Sequence, residues 1–276
     1  MESGLYVVAT PIGNFGDMSQ RAVDVLRQVD LIAAEDTRHS RRLLQHFGIE
    51  TPLMAYHDHS DDRALRRIRG CFEADESVAL ISDAGTPLVS DPGYRLVRCV
   101  QDEGHTVFPV PGACAAVAAL SAAGLPTDRF LFEGFLPAKQ GARENRLRAL
   151  RTESATLIFY EAPHRIVDTL EALVEVFGPT REAALAREVT KLYETIRRSP
   201  LSTLAQFVRD DNNQQKGKIV LLVTGASARE SQLDADVASL LIRLAQELPA
   251  KRAAALVAEH TGLRKKQLYD YLLSLK

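Results

Sequence analysis

Short apolar runs and amphipathic stretches alternate along most of the chain. Residues 5–9 form a continuous apolar run, typical of a buried strand, and lead into the turn residues 10–14. The next stretch predicts a helix with Ser19 as N-cap and one apolar face, formed by Ala22, Val23, Leu26 and Val29. Residues 31–34 are the following strand candidate. This alternation indicates a mostly parallel sheet covered by helices.

The same reasoning predicts the remaining elements. Further helices in the first half are expected over residues 37–46, ended by Gly48, and over 60–72 and 113–123. Further strands are expected over 78–81, 106–110, 130–135, 156–160, 183–189 and 219–224. Beyond Gly225 the patterns are helical only, over 233–248, 250–260 and 264–273.

These elements divide into three predicted domains. Residues 1–120 form an N-terminal α/β domain, residues 121–228 a second α/β domain, and residues 229–276 a small helical appendage resembling a helix-turn-helix. Such an appendage is either a packing element or a surface for a polyanion. In parallel sheets ligands bind beyond the carboxyl ends of the strands, so the loops that follow strands are the places to search for a site.

Composition narrows the class of protein. The 276 residues carry a net charge of −2, so no overall basic field marks a nucleic-acid binder, and any RNA contact must be local. The three cysteines show no metal-ligand or disulfide spacing, which fits a reducing compartment. The N-terminus lacks the pattern of a signal peptide, and no apolar run has the length of a membrane span. We therefore expect a cytoplasmic protein without a membrane partner or a metal.

The chemistry-bearing loops follow predicted strands. Residues 81–93, ISDAGTPLVSDPG, combine turn-forming glycines and prolines with two carboxylates and three hydroxyls. Residues 10–14 and 110–115 are similar loops, and all three can converge at one edge of a parallel sheet. The alternative for each is an ordinary strand-to-helix connection. Motifs of P-loop, dinucleotide-binding, zinc-protease and esterase sites are absent from the sequence.

Six segments together resemble one known family. They are VATPIGNFGDMS (8–19), AAEDTRHSRRLL (33–44), ISDAGTPLVSDPG (81–93), PVPGACAAVAAL (109–120), IFYEAPHRI (158–166) and REVTKLYET (187–195). In this order they resemble the tetrapyrrole methylase superfamily and, within it, the 16S ribosomal RNA 2′-O-methyltransferase I family. The resemblance covers nearly the whole chain and includes the C-terminal helices.

The resemblance implies a fold and a cofactor. It implies two α/β domains with a cleft between them that binds S-adenosylmethionine. The implied cofactor-binding residues are Pro11, Gly13, Asp83, Gly85, Thr86, Pro87, Val89, Gly112, Ala113, Cys114, Ala115, Phe159, Tyr160, Glu161, Leu185, Ala186 and Arg187. The superfamily often has Asp at the position of Thr86 and Ser or Thr at those of Cys114 and Ala115, so individual hydrogen bonds to the cofactor differ here.

Methyl transfer to a ribose hydroxyl requires orientation and is helped by a general base. Candidate bases are Glu35, Asp36, His57, Glu188 and Lys191, and each could instead belong to an ion pair or a solvated loop. The preferred cluster is Glu35 to Arg38, which follows a strand and, by the resemblance, belongs to the motif that marks the RNA-modifying branch. The predicted catalytic residues are Glu35, Asp36, Arg38, Glu188 and Lys191.

RNA contact would need local basic groups. The candidates are Arg41, Arg42, Lys139, Arg143, Arg146, Lys265 and Lys266, with Arg264 beside the last two. A basic helix face is more often a solvated surface. With no Trp and 6% aromatic residues, contacts to phosphates and shape are favoured over extended stacking.

Three functions stay open on the residues alone. The first is 2′-O-methylation of 16S ribosomal RNA in the small ribosomal subunit, where the resemblance implies a cytidine of the decoding region as acceptor and a homodimer as the active form. The second is methylation of a tetrapyrrole, another small acceptor or a protein side chain, which predicts a deep apolar acceptor pocket. The third is a non-catalytic RNA- or protein-binding module, which predicts no affinity for the cofactor.

Overall fold

The computed structural model describes residues 1–57, 62–226, 235–261, 263 and 265–275. Its strands are β1 (Gly4–Val8), β2 (Leu31–Ala34), β3 (Leu53–Ala55), β4 (Ser77–Ile81), β5 (Val107–Val110), β6 (Phe130–Phe135), β7 (Thr156–Glu161), β8 (Glu182–Arg187), β9 (Thr195–Pro200) and β10 (Ile219–Val223). Its α-helices are α1 (Gln20–Gln28), α2 (Thr37–His46), α3 (Asp62–Glu73), α4 (Tyr94–Asp102), α5 (Ala115–Ala123), α6 (Gln140–Leu150), α7 (Ile166–Phe177), α8 (Leu201–Asp210), α9 (Ala235–Glu247), α10 (Ala250–Thr261) and α11 (Lys265–Ser274).

The first sheet has the parallel arrangement that the alternating pattern predicts. Its strand order is β3-β2-β4-β1-β5, and every pairing is parallel. The start of α1 also agrees with the sequence, because the Ser19 hydroxyl caps α1 by accepting from the Ala22 N–H. Helix α2 begins at Thr37 and ends at His46, as predicted. The carboxyl ends of all five strands therefore lie at one edge of the sheet.

The second sheet is mixed, which corrects the expectation of a mostly parallel sheet throughout. Its order is β6-β7-β10-β8-β9, and three of its four pairings are antiparallel. One of these pairings arises because β8 turns back into β9 as a hairpin, without a helix between them, and the other two arise because β10 inserts antiparallel between β7 and β8. Strands β3 and β9 were not predicted. β3 has three residues, and β9 is an exposed edge strand with a polar sequence.

Apolar clusters cover both faces of each sheet. Helices α6, α7 and α8 cover one face of the second sheet, with Leu147, Leu173 and Leu204 in that core. Helix α5 covers the other face, where Ala119 and Leu120 pack with side chains of β7, β8 and β10. The predicted boundary at residue 120 lies within α5, and the three domain boundaries stay predictions.

By contacts between residues, the chain forms two compact units. The larger unit is Met1–Arg151 with Ala155–Thr224, and it contains both sheets. The smaller unit is Thr152–Ser154 with Gly225–Lys276, and its three helices share a core that includes Leu241, Ala253, Val257 and Leu268.

Several predicted helix ends lie outside the described residues. They are Ser60, the start at residue 233, and Gly262 and Arg264 between α10 and α11. None of the helices described is both long enough and apolar enough to cross a membrane.

Candidate active site

A cavity of about 310 Å³ lies where loops of the first sheet meet the inner face of the second. Its volume falls at the lower end of the range for small-molecule sites, about 300–1,000 Å³. Its lining residues are Ile12, Ala84, Gly85, Thr86, Val89, Ser90, Asp91, Cys114, Ala115, Phe135, Tyr160, Glu161, Ala162, Pro163, Glu188, Val189, Lys191, Lys218, Ile219 and Val220. We call it the first cavity.

Backbone groups shape the first-sheet side of this cavity. Gly85 exchanges two backbone hydrogen bonds with Thr10, of 2.8 and 3.0 Å, which join the loop after β4 to the loop after β1. The Thr86 hydroxyl donates to the Ala113 carbonyl, 3.1 Å away, and so fixes the third loop. Gly85 has φ +95°, and Leu88 and Ser90 also have positive φ values, of 73° and 62°. Such conformations cost energy in non-glycine residues and cluster at functional sites.

The N-terminus of α5 and the Tyr160 phenol form another wall. Cys114 is the N-cap of α5, and its side chain makes no capping hydrogen bond. The Tyr160 hydroxyl instead accepts from the Ala116 N–H at 3.2 Å. Burial, together with Cys114, raises the pKa of Tyr160 to about 12, so the phenol is neutral at physiological pH.

A second cavity of about 230 Å³ adjoins the first. Four residues line both cavities: Ile12, Ala84, Lys191 and Lys218. The other lining residues of the second cavity are Thr10, Pro11, Gly13, Phe15, His39, Ser40, Arg42, Leu43, Ser82 and Asp83. Molecules bound in the two cavities would therefore face each other across a shared wall.

Lys191 stands on this wall in a constrained position. Its Nζ lies 2.6 Å from Glu188 Oε1, which also accepts from the Lys218 N–H at 2.8 Å. The lysine stem crosses Gly13 so closely that a Cβ at position 13 would lie 2.5 Å from Lys191 Cγ. Burial acts to raise the pKa of Glu188, but Lys191 and the Lys218 N–H lower it overall, so the carboxylate is ionised.

Buried Arg187 holds the loop that carries this ion pair. Its guanidinium donates to the Tyr193 carbonyl at 2.9 Å, to the Lys216 carbonyl at 3.3 Å and to Gln214 Oε1 at 3.1 Å. Glu188 and Thr190 within the loop have positive φ values, of 51° and 69°. Arg187 thus stabilises a strained loop and does not line either cavity.

Three carboxylates cluster near the ends of β2 and β4. Burial is the main cause that raises the pKa of Asp91, which lines the first cavity; Asp83 adds to the rise, while Ser82 and Lys218 oppose it. Burial also raises the pKa of Glu35, with further contributions from Asp91 and Asp83. Asp83 Oδ1 accepts from the Asp36 N–H at 3.1 Å. Asp91 is thus a carboxylate inside the first cavity with raised proton affinity.

The structure brings many of the predicted site residues to the two cavities. Those on the first cavity are Gly85, Thr86, Val89, Cys114, Ala115, Tyr160, Glu161, Glu188 and Lys191. Those on the second cavity are Pro11, Gly13, Arg42, Asp83 and Lys191. Lining residues that the sequence reasoning did not select include Ile12, Ser90, Asp91, Phe135 and Lys218. The Asp in the SDPG end of the loop after β4 was the available signal for Asp91.

The other predicted catalytic and cofactor-binding residues line neither cavity. They are Pro87, Gly112, Ala113, Phe159, Leu185, Ala186 and Arg187, together with Glu35, Asp36 and Arg38. Phe159 does not line the cavity because side chains alternate along a strand: Tyr160 points to the cavity, and Phe159 points to the core on the opposite face. Asp36 caps α2, accepting from the Arg38 N–H at 2.8 Å, and the Arg38 side chain is 88% exposed.

The predicted RNA-binding residues differ in their availability. Arg143 is buried, which corrects its assignment to an exposed basic surface, because its helix turns that position toward the core. Arg146 is bound to Glu133 through contacts of 2.7 to 2.9 Å. Arg41 and Lys139 are exposed and lie away from both cavities. In the smaller unit Lys265 and Lys266 are exposed in the first turn of α11.

The donor set of the first cavity fits S-adenosylmethionine. The Asp91 carboxylate suits a ligand that carries a sulfonium and an amino group, and apolar residues such as Ile219 and Val220 suit its adenine ring. A Cβ at Gly85 would lie 3.4 Å from Ile12 and 3.6 Å from the Ala113 carbonyl, in the space where the three loops approach. Glycine at this position keeps the backbone open to a ligand.

Comparisons with known proteins identify the family of the chain. The model of Tetrapyrrole (Corrin/Porphyrin) Methylases matches residues 4–205, and that of the RsmI C-terminal HTH domain matches residues 231–276. The chain is similar to Ribosomal RNA small subunit methyltransferase I of Pseudomonas aeruginosa, with 57% identity over 98% of this chain and 96% of the relative. The protein of that name from Escherichia coli O157:H7 is 52% identical, over 98% and 94%.

Solved structures of lower identity share the fold. Uroporphyrin-III-C-methyltransferase from Thermus thermophilus has a TM-score of 0.57 at 22% identity, covering 80% of this chain and 93% of that one. Diphthine synthase has a TM-score of 0.59 at 16% identity, covering 80% and 89%. Relatives that are about half identical over almost the full length define the family of the chain more narrowly than the shared fold does. The chain is a methyltransferase that uses S-adenosylmethionine, and it belongs to the tetrapyrrole methylases and, among them, to the ribosomal RNA small subunit methyltransferase I family.

Proposed function

We propose that this enzyme transfers a methyl group from S-adenosylmethionine to a ribose 2′-hydroxyl of 16S ribosomal RNA, at a cytidine of the decoding region. The observation that carries the proposal is the wall shared by the two cavities, which would put an acceptor in the second cavity beside a cofactor in the first. The names of the full-length relatives support ribosomal RNA of the small subunit as the substrate.

The first cavity holds the cofactor in this proposal. Gly85, Thr86 and the α5 N-terminus contact it from the first-sheet loops, and Tyr160 closes the opposite side. The cofactor supplies an electrophilic methyl group on a sulfonium. Holding both reactants in line is worth about 7–11 kcal/mol of barrier reduction in well-oriented reactions. Orientation by the two cavities is therefore the main contribution of the protein.

Two side chains act on the acceptor hydroxyl. The Lys191 ammonium, held by Glu188, donates a hydrogen bond to the 2′-oxygen and orients it. Asp91 accepts the hydroxyl proton on its carboxylate, which frees the 2′-oxygen for the methyl group that the sulfonium would release as its sulfur–carbon bond breaks. Glu188 is committed to Lys191, and Asp83 accepts from the Asp36 N–H. Asp91 lines the first cavity, close enough to Lys218 of the shared wall for their charges to interact, and its raised pKa suits a general base.

The acceptor is the assembled small subunit, and the enzyme acts as a cytoplasmic homodimer. A net charge of −2 gives little non-specific affinity for free RNA, which favours a substrate recognised by shape.

Exposed Leu192 and Tyr193, with 88% and 70% of their surface accessible, support self-association next to the edge strand β9.

Labelled methyl transfer tests the proposal. The purified enzyme is incubated with radiolabelled S-adenosylmethionine and with small subunits that lack the modification, and the RNA is digested to nucleosides. Label in a 2′-O-methylated cytidine is the expected result. Label elsewhere, or bound cofactor without labelled RNA, would contradict the proposed acceptor. Equal labelling of protein-free RNA would contradict the preference for the subunit.

A further inference from the structure

The second cavity differs from the first in the groups on its walls. Basic side chains of Arg42, Lys191 and Lys218 lie beside the apolar Leu43 and Pro11. Phe15 adds a half-exposed aromatic ring, 4.5 Å from the His46 ring in centroid distance. Cations together with a stackable aromatic face are the combination that recognises a nucleotide, through its phosphate and its base.

Two side chains of α2 have binding capacity that the protein leaves unused. Ser40 is only 2% exposed, and its hydroxyl has no hydrogen-bond partner among the described residues. An unpaired polar group is unfavourable in a protein interior and is therefore a sign of a function or a missing partner. Arg42 is exposed and forms no ion pair within the described part of the chain. Both residues line the second cavity.

We propose that the second cavity receives the acceptor nucleotide, turned out of its RNA strand, with Ser40 and Arg42 as specificity-determining contacts. The ribose lies at the wall formed by Ile12, Ala84, Lys191 and Lys218, next to the methyl donor. Arg42 binds a phosphate that flanks the ribose, and the base lies between Phe15 and Leu43 within reach of the Ser40 hydroxyl. This inference rests on the proposed function and names its acceptor pocket.

The first test compares two serines with buried, unpaired hydroxyls, one on the second cavity and one away from it. Ser40→Ala and Ser199→Ala each remove a buried hydroxyl without a partner, and Ser199 lies on β9, away from both cavities. Thermal unfolding of both variants should occur at or slightly above the wild-type temperature, since each loses an unpaired polar group. Only Ser40→Ala should lower kcat/KM for small subunits, by about five- to tenfold, as expected for one lost hydrogen bond.

The second test compares two exposed arginines, one on the second cavity and one away from it. Arg42→Ala should raise KM for the subunit about tenfold and weaken its dependence on salt, because one phosphate contact is lost. Arg98→Ala should change KM less than twofold, since Arg98 lies on α4, pairs with Asp102 and lines neither cavity. The Kd of S-adenosylmethionine, measured by calorimetry, should stay within twofold of the wild type in all four variants.

The outcomes separate this inference from the proposed function. Wild-type activity of Ser40→Ala, or equal losses in Arg98→Ala and Arg42→Ala, would overturn the acceptor pocket while the enzyme still methylates RNA. A weaker cofactor Kd in the Ser40 or Arg42 variant would assign the second cavity to the cofactor and also overturn the inference. A wild-type enzyme that labels no RNA would contradict the proposed function itself, and the acceptor pocket with it.

Discussion

The two sheets of the larger unit reach the site through different parts of the chain. The parallel sheet contributes short loops whose backbone groups pair with one another, as Gly85 does with Thr10. The mixed sheet contributes long side chains from a strained hairpin, where Glu188 holds Lys191. A backbone surface suits binding of a constant ligand, while long side chains can act on a reacting atom. We therefore expect substitutions in the loops and in the hairpin to change different measured constants.

The largest effect on kcat is expected at Asp91, the proton acceptor. This substitution tests whether the loops of the first sheet take part in the reaction as well as binding the cofactor. Asp91→Asn should lower kcat by about 10²–10⁴-fold, the usual contribution of a general base. In the wild type the rate should rise as pH increases through the raised pKa of Asp91, because only the ionised carboxylate accepts a proton. The variant should lose this limb of the pH–rate profile.

Asp102→Asn is the matched control for Asp91. Asp102 is an exposed acid on α4 that pairs with Arg98 at 3.7 Å. A pH–rate profile of Asp91→Asn that matches the wild type would exclude Asp91 as the base.

The next effect concerns cofactor binding by the backbone loops. Gly85→Val puts a branched side chain at φ +95° in the first cavity, so the Kd of S-adenosylmethionine should rise about 100-fold. Gly48→Val serves as the control for backbone strain, because Gly48 has φ +61° with open space around it. Calorimetric titration of both variants measures the difference. An unchanged Kd in Gly85→Val would remove the loop after β4 from the cofactor site.

A smaller effect should separate the hairpin from the loops. Gly13→Ala places a methyl group against the stem of Lys191 and should displace the ammonium, lowering kcat about tenfold with the cofactor Kd within twofold. Lys191→Ala should lower kcat at least as much. Gly141→Ala, at an open position of α6, is the control and should have no effect. A cofactor Kd that changes together with kcat would mean that Lys191 binds the cofactor.

The smallest effect concerns stability. Because folding raises the pKa of Glu35, the folded state favours the protonated form, and this stabilisation is lost as pH rises from the ordinary glutamate pKa through the raised one. Glu35→Gln should therefore melt about 1 °C higher at neutral pH, and the difference should vanish below the ordinary glutamate pKa. Melting curves at the two pH values measure it. A lower melting temperature at neutral pH would show that the Glu35 charge is stabilising.

Local patterns predicted the first sheet well, since its strands are buried runs and its helix caps are encoded within a few residues. Helix α2 and the Ser19 cap are examples. The mixed pairing of the second sheet could not be predicted in this way, because β10 inserts between β7 and β8, strands distant in sequence. Strand β9 was missed since an edge strand can be polar on its exposed face.

The site residues that lie in one continuous loop could be predicted from the sequence. Those that reach the site through pairing of strands distant in sequence could not. The loop at residues 81–93 was selected from its glycines and prolines, and Gly85, Thr86 and Val89 line the first cavity. Lys218 has no motif of its own, and it reaches the wall only because β10 begins beside the hairpin. Arg187 belongs to a motif, but its geometry shows a residue that supports a loop.

The position of β10 also determines when the site can exist during synthesis. The first sheet uses residues 4–110, so it can pair soon after that part of the chain leaves the ribosome. Strand β10, at Ile219–Val223, is the centre of the second sheet, and without it β7 and β8 have no shared neighbour. Pairing across such a sequence separation is slow to form. We therefore expect a nascent chain that ends before about residue 223 to lack a closed first cavity, and cofactor affinity to arise only near the end of translation.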